Sequence, residues 1–432
     1  MTNFKTSRSL LLILYAGTIA GTTLAIDWSS AGEFRGLLVL FGKSAGLMAF
    51  VMLVLQAAMT CRVKLLDRLA AIDKVTNFHK RMGIVVACLL IAHVALLVAG
   101  KNNLALLSME TSWRVNLGKA ALGMTWLTVT LAMTFGAFGL DYNIWRVSHK
   151  TALAIVGLGF LHSWSIGAEV RYTPLRFVWW GLLLVCAAAA VYRNGYIPLW
   201  GRRRYRVKAV SRQTHNTYTL TLGAEQTPIR THKPGQFIFL KLKRPGRKSE
   251  IHPFTLASSP AEAPSLQVTI KQSGNFTNTI DQTTTADTAM VEGPYGQFSL
   301  VNYPAGPVLL IAGGVGITPL MSMMRYLRDT GDRREVVFLY GNRTRDDILF
   351  EKELAALPAN FKVVHVLSEA DAAWTGLKGY ITQEIIGEHI RSMPATTEIF
   401  LCGPPPMMDK VIGSLRALEI AGGRIHYERF TL

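Results

Sequence analysis

HKRMGIVVACLLIAH, from His79 to His93, is an apolar run with an imidazole near each end, and HKTALAIVGLGFLH, from His149 to His162, has the same arrangement. Residues 1–200 contain four histidines, and these are the four. At 1.5 Å per helical residue, His79 and His93 lie about 21 Å apart and His149 and His162 about 20 Å apart. Two such helices running in one direction bring first ring to first and second to second, at two depths of an apolar layer about 30 Å thick. Ionisable side chains at such depths are candidates for function, and paired imidazoles suit the axial positions of haem iron. One detail resists a regular helix. Thirteen residues at about 100° each leave His149 and His162 about 140° apart, so that helix is expected to tilt, bulge or meet its ligand obliquely.

Working outward, the 432 residues are half hydrophobic and only 17% charged, below the roughly 25% of soluble domains. The deficit is uneven: residues 1–200 hold 18 Lys/Arg and 7 Asp/Glu, residues 201–432 hold 28 and 21. Six apolar stretches approach the about 20 residues needed to span a bilayer: 10–26, 34–58, 81–99, 117–139, 150–167 and 176–192. Arg62, Lys64, Arg68, Lys74, Lys80 and Arg81 crowd the connection after the second, and Arg193 with Arg202, Arg203, Arg204 and Arg206 follow the sixth. The bias of basic loops toward the inside then puts both termini and everything after residue 193 in the cytoplasm. This placement also accounts for the net charge of +18 without nucleic acid. The N-terminal run lacks a small-residue cleavage site and is expected to stay as the first helix rather than leave as a signal peptide. Cys61, Cys88, Cys186 and Cys402 have neither zinc nor iron–sulfur spacing.

After Arg206 the texture becomes short alternating strands, Tyr205–Ser211, Thr217–Leu222, Gln236–Leu242 and Leu266–Lys271, which suggests an antiparallel β-barrel. From Pro307 it becomes strand–helix–strand: Val308–Ala312, a helix from Pro319, Val336–Gly341, a helix from Asp346, and on to Ile425–Phe430. That is a doubly wound α/β pattern. In the barrel, His252-Pro253-Phe254-Thr255 stands on a strand edge, and Lys271-Gln272-Ser273-Gly274-Asn275-Phe276-Thr277 follows a strand with a cation, a glycine and a hydroxyl, groups suited to a pyrophosphate. In the α/β part, Gly313-Gly314-Val315-Gly316-Ile317-Thr318-Pro319 lies between the first strand and its helix. Tyr340-Gly341-Asn342-Arg343 and Cys402-Gly403-Pro404-Pro405-Pro406-Met407 end later strands, where open α/β sheets bind ligands.

Together these motifs, with Gly293-Pro294-Tyr295-Gly296 and the terminal Glu428-Arg429-Phe430, resemble the NADPH oxidase / ferric reductase superfamily, in a prokaryotic member. The resemblance covers nearly everything after the first span. It implies a membrane all-α six-helix haem-binding domain (1–200), an FAD-binding β-barrel (201–303) and an NAD(P)H-binding α/β domain (304–432). It implies that His252, Pro253, Phe254 and Thr255 line the flavin, that Lys271, Gly274 and Thr277 hold the FAD pyrophosphate, and that Phe430 stacks on the flavin until nicotinamide displaces it. The Gly313, Gly314, Gly316, Ile317 and Thr318 loop, with Cys402, Gly403 and Pro404, would place NAD(P)H. His79 with His149, and His93 with His162, would ligate two b-type haems. The first span begins almost at once, so no calcium-binding extension or calcium control is expected.

The expected activity follows: electrons pass from cytoplasmic NAD(P)H through FAD and two haems to an acceptor outside, oxygen giving superoxide or ferric iron, in a bacterial inner membrane. A membrane-anchored diaphorase reducing a quinone or a cytoplasmic acceptor is the alternative. Arg343, with Arg345 as a rival, suits a 2′-phosphate and favours NADPH. Lys43 lies about 13 Å down the second span, near the expected depth of His93. It calls for a partner: a haem propionate, or an acceptor that becomes negative on reduction.

Overall fold

The computed structural model describes residues 4–24, 26–64, 67, 72–134, 142–172 and 174–430. Arg68 of the basic connection and residues 135–139 of the fourth expected span lie outside them. The chain divides into two compact units, Met1–Pro198 and Leu199–Leu432.

The first unit is helical: α1 (Phe4–Leu24), α2 (Phe34–Met59), α3 (Ile72–Lys101), α4 (Trp113–Thr134), α5 (Tyr142–His149), α6 (Ala152–Ile166), α7 (Ala168–Tyr172) and α8 (Leu175–Val191). Among the described residues, three helices are long and apolar enough to cross a membrane: Phe34–Met59, Val75–Lys101 and Leu175–Gly201. The last extends α8 through wider i→i+5 turns over Tyr192–Gly201. α2 is central and packs on α1, α3, α6 and α8. Its contact with α3 is close because small residues line it. A Cβ on Gly46 would stand 2.6 Å from His93 Nδ1, and one on Gly100 would stand 2.8 Å from Val39. Small residues let apolar helices approach in this way where burial alone gives little drive. By contrast Ile84, Val85 and Ile91 on α3, and Phe177, Trp180 and Leu184 on α8, are exposed, as lipid-facing residues would be.

The expected fifth span is the single helix α6, and the chain breaks at its start, at Lys150 and Thr151, so that His149 ends α5 while His162 lies on α6. The bonds there run three residues back: Lys150 N to Val147 O (3.1 Å), Thr151 N to Ser148 O (3.1 Å) and Leu153 N to Lys150 O (3.4 Å). Such turns advance about 120° per residue rather than 100°, which reduces the angular mismatch between His149 and His162.

The second unit begins with an antiparallel sheet of β1 (Arg202–Thr214), β2 (Thr217–Ala224), β3 (Phe237–Lys243), β4 (Ile251–Thr255), β5 (Leu266–Lys271) and β6 (Thr288–Tyr295), ordered β4-β3-β6-β1-β2-β5. A bridge between Leu256 and Val268 joins the two ends. Alternation builds the core: Tyr205 and Val207 are buried while Arg204, Arg206 and Lys208 face out. The buried Tyr205 hydroxyl accepts from Ile229 N at 2.7 Å.

The remaining strands are parallel: β7 (Val308–Gly313), β8 (Val336–Asn342), β9 (Phe361–Leu367), β10 (Leu377–Lys378), β11 (Glu398–Cys402) and β12 (Ile425–Glu428), ordered β10-β9-β8-β7-β11-β12. Helices α9 (Ile317–Asp329), α10 (Glu351–Ala355), α11 (Gln383–Ile390) and α12 (Pro405–Ala417) connect them. Successive residues of β7 enter different cores: Leu310 packs with Leu320 and Phe338, Leu309 and Ile311 with Ile386 and Val411. The helix expected from Asp346 is only a short 3-10 turn, Arg345–Asp347, followed by the five-residue α10. Ile348, Leu349 and Phe350 are all buried and Phe350 has a φ of 59°, so the chain dives into the core there instead of holding a helical period.

Arg325 on α9 ties the two sheets together. It is 6% exposed, donates from Nη1 to Ala257 O (2.8 Å) and Gln267 Oε1 (3.0 Å), and pairs through Nη2 with Glu353 (2.6 Å). Burial pushes the Glu353 carboxyl up, but the bonds and charge of Arg325, then Arg328, outweigh it and hold the carboxyl below its ordinary value. Arg325→Ala should destabilise the unit by about 3 kcal/mol, as breaking a buried pair does. A depressed carboxyl contributes fully above its unfolded pKa and loses that contribution as pH falls through the folded one. Thermal melts should therefore show a gap between wild type and variant at pH 7 that narrows on acidification; an unchanged gap would contradict the assignment.

Candidate functional site

In the helical unit the histidines meet in the expected pairs. The His79 and His149 ring centres are 5.7 Å apart at 73°, and those of His93 and His162 are 6.3 Å apart at 88°. These separations leave room for one metal ion between each pair, with two bonds of about 2 Å. Three rings are oriented by their other nitrogen. His93 Nδ1 lies 2.8 Å from Gly42 O, His162 Nδ1 2.8 Å from Arg114 O, and His79 Nδ1 2.8 Å from Gln56 Oε1. An oxygen of this kind only accepts, so each Nδ1 carries the proton and each Nε2 keeps a free lone pair. His149 Nδ1 is buried with no partner among the described residues. Gly118 gives His162 its space, since a Cβ there would lie 2.6 Å from the ring. Among the described residues no group of three or more His, Cys, Asp or Glu could hold a metal; each pair offers two ligands.

Lys43 has a carboxylate partner within the chain. Its Nζ is 2.5 Å from Glu169 Oε1 on α7, with side chains 39% and 15% exposed. Neither partner expected for it from sequence was Glu169, which lies 126 residues away.

In the barrel, the antiparallel bridge between Leu256 and Val268 sets the start of β4 beside the end of β5, so the two expected flavin segments share one seam. His252 stacks on Phe276 at 4.4 Å and Phe254 stacks on it at 6.3 Å. His252 Nε2 lies 2.9 Å from Glu250, and Pro253 is half-buried between its neighbours. Thr255, which faces Phe237 of β3, is buried. Lys271 ends β5. Beyond it Ser273 N donates to Thr277 Oγ1 (2.9 Å) and Asn278 N to Gly274 O (2.7 Å). That turn leaves Gly274 facing open space, with nothing within 4 Å of an added Cβ.

In the parallel sheet, β7 and β11 are neighbours although distant in sequence, and their carboxyl ends carry both glycine motifs. They interlock. A Cβ on Gly316 would lie 2.4 Å from Cys402 O, one on Gly313 2.3 Å from Met407 Sδ, and one on Gly403 3.0 Å from Gly313 N. Gly314 has a φ of 52°. The Tyr340 hydroxyl donates to Gly314 O at 3.1 Å, fixing the turn from β8; burial pushes that hydroxyl far above its ordinary pKa. Ile317 is buried, and Thr318 Oγ1 donates back to Val315 O at 3.1 Å. The Cys402 thiol is fully buried and is pushed well up by burial and then by the Glu428 charge, so it remains protonated. Pro404 stands exposed at the start of α12, and Phe430 is 43% exposed just after β12. Arg343 lies 3.8 Å from Asp347 with 60% of its side chain exposed, and Arg345 pairs with Glu351 at 3.0 Å. Gln56, Gly118 and Glu169 escaped sequence reasoning. A lone amide in the apolar α2 was the available signal for Gln56.

Three family models match: ferric reductase like transmembrane component over residues 45–160, FAD-binding domain over 203–299 and oxidoreductase NAD-binding domain over 310–412. The chain belongs to the superfamily with this architecture, that of NADPH oxidases and ferric reductases. It is 34% identical over 242 residues to the glycine betaine monooxygenase reductase subunit of Pseudomonas aeruginosa, covering 54% of this chain and 65% of that one, just under two thirds. It is 32% identical over 248 residues to the reductase component of propane 2-monooxygenase from Mycolicibacterium goodii, covering 55% and 70%. Among solved structures, the FAD/NAD-binding domain of a Vibrio cholerae nitric oxide dioxygenase is similar at 24% identity, with a TM-score of 0.48, covering 53% of this chain and 98% of that one.

The glycines separate protein packing from cofactor approach. Gly316→Ala, with its methyl driven into backbone, should lower the apparent affinity for NAD(P)H at least tenfold in flavin-reduction assays. Gly274→Ala should fold normally yet lose bound FAD, measured by flavin absorbance per polypeptide. Full flavin content in Gly274→Ala would remove that loop from the FAD site.

Proposed function

We propose that the chain is a transmembrane oxidoreductase that takes electrons from cytoplasmic NAD(P)H and delivers them to an acceptor on the far side, with oxygen or ferric iron as that acceptor. The observation that carries the reading is the meeting of His79 with His149 and of His93 with His162, with Nε2 left free on the oriented rings. A site with two protein ligands fits a metal that brings four of its own, as haem iron does. This reading takes six membrane spans, as expected from sequence, with both termini inside. When bound, FAD converts a hydride into single electrons and haem iron carries them one at a time.

The chain's own residues do the rest. His252, Pro253, Phe254, Thr255, Lys271, Gly274 and Thr277 bind and orient FAD along the barrel seam. Gly313, Gly314, Gly316, Ile317, Thr318, Gly403 and Pro404 admit the nicotinamide nucleotide to the sheet edge, Cys402 shapes that edge as a neutral thiol, and Phe430 covers the flavin face until nicotinamide arrives. Lys43, paired with Glu169, places a charge pair near the outer histidines, and its ammonium favours an acceptor that gains negative charge. A second reading, a membrane-anchored diaphorase reducing a quinone or a cytoplasmic acceptor, draws on the relatives, which are named as monooxygenase reductase components.

His79→Leu or His149→Leu should remove one haem and stop transmembrane turnover while NAD(P)H still reduces FAD. Full haem content and normal turnover in either variant would refute the pairing. Arg343→Ala should lower kcat/KM for NADPH with little effect on NADH; equal values for both nucleotides, unmoved by the substitution, would remove Arg343 from the 2′-phosphate site.

A further inference from the structure

The two histidine pairs are held differently. Both rings of the outer pair, His93 and His162, donate from Nδ1 to backbone carbonyls, which no substitution can delete. In the inner pair one ring, His79, has a side-chain acceptor, Gln56 Oε1 at 2.8 Å, and the other, His149, has a buried Nδ1 with no partner among the described residues. Gln56 is 5% exposed and sits three residues from the end of α2, 23 residues from His79 in sequence. Its Nε2 is buried and also has no acceptor among the described residues. A buried donor without an acceptor is uncommon in a folded protein and calls for an explanation, such as a polar group bound beside it.

We propose that Gln56 is the positioning residue of the inner site. Its amide oxygen holds the Nδ1–H tautomer of His79 and raises the basicity of Nε2, and its amide nitrogen donates to a polar edge of the group bound between His79 and His149. The inference rests on the haem reading above. An acceptor on Nδ1–H gives the ring partial imidazolate character, which stabilises the oxidised metal. The inner pair is thus oriented by one side chain and the outer pair by backbone carbonyls.

The test is a spectroelectrochemical titration of the full chain, purified with its haems, in wild type, Gln56→Leu and Gln56→Glu. His79→Leu identifies which of the two potentials is the inner one. Gln56→Leu should raise the inner potential by an amount equal to about tenfold in the ferric-to-ferrous equilibrium, about 59 mV for one electron. Gln56→Glu, a stronger acceptor, should lower it, and the outer potential should stay put in both. Selective loss of the inner haem from Gln56→Leu, with Gln56→Glu retaining it, also supports the proposal. A merely structural role would move both variants the same way, so shifts of one sign, or no shift in either, overturn it. A wild-type protein without haem would instead overturn the function proposed above and leave this shift with nothing to act on.

Discussion

An imidazole buried between apolar helices calls for a partner at Nδ1, and three of the four rings in the helical unit have one. Gly42 O and Arg114 O accept from the outer pair and Gln56 from one ring of the inner pair. Those acceptors come within reach because glycines let helices approach closely. Gly46 and Gly118 leave no space between backbone and ring, and any larger residue would displace a histidine. The same contacts that pack α2 on α3 and α4 on α6 therefore aim three lone pairs into two gaps.

The soluble unit solves a different problem, that of bringing backbone close to an elongated, charged ligand. Barrel closure at Leu256 and Val268 places the His252–Thr255 segment against the Lys271–Thr277 turn. The parallel order sets β7 beside β11, so that Gly313, Gly316 and Gly403 nest into one another. Tyr340 ties this nest to β8, and Arg325 holds the helix after it against the barrel. Rigid packing beneath and bare backbone above is the arrangement that sheet carboxyl ends offer to nucleotides.

Much of this was legible in sequence because it is periodic or local. The His79–His93 and His149–His162 spacings implied the pairing, and the glycine turns implied a nucleotide edge. What was hidden depended on partners far along the chain or on local breaks. Glu169 answers Lys43 across 126 residues, and no spacing rule reaches that far. The angular conflict in the fifth span was visible, but its remedy, the three-residue turns at Lys150 and Thr151, leaves no mark in composition. The helix expected from Asp346 failed because burial of Ile348, Leu349 and Phe350 overrode helical propensity.

If two imidazole pairs hold two haems in a chain that also binds FAD, the cofactor content of the protein must show it. The most direct measurement is the stoichiometry of haem and flavin in the purified full-length protein, from reduced-minus-oxidised absorption and cofactor extraction. Two low-spin haems and one FAD per polypeptide are expected, with both haems reduced on addition of NAD(P)H. One FAD and no haem would contradict this and leave the histidine pairs as packing.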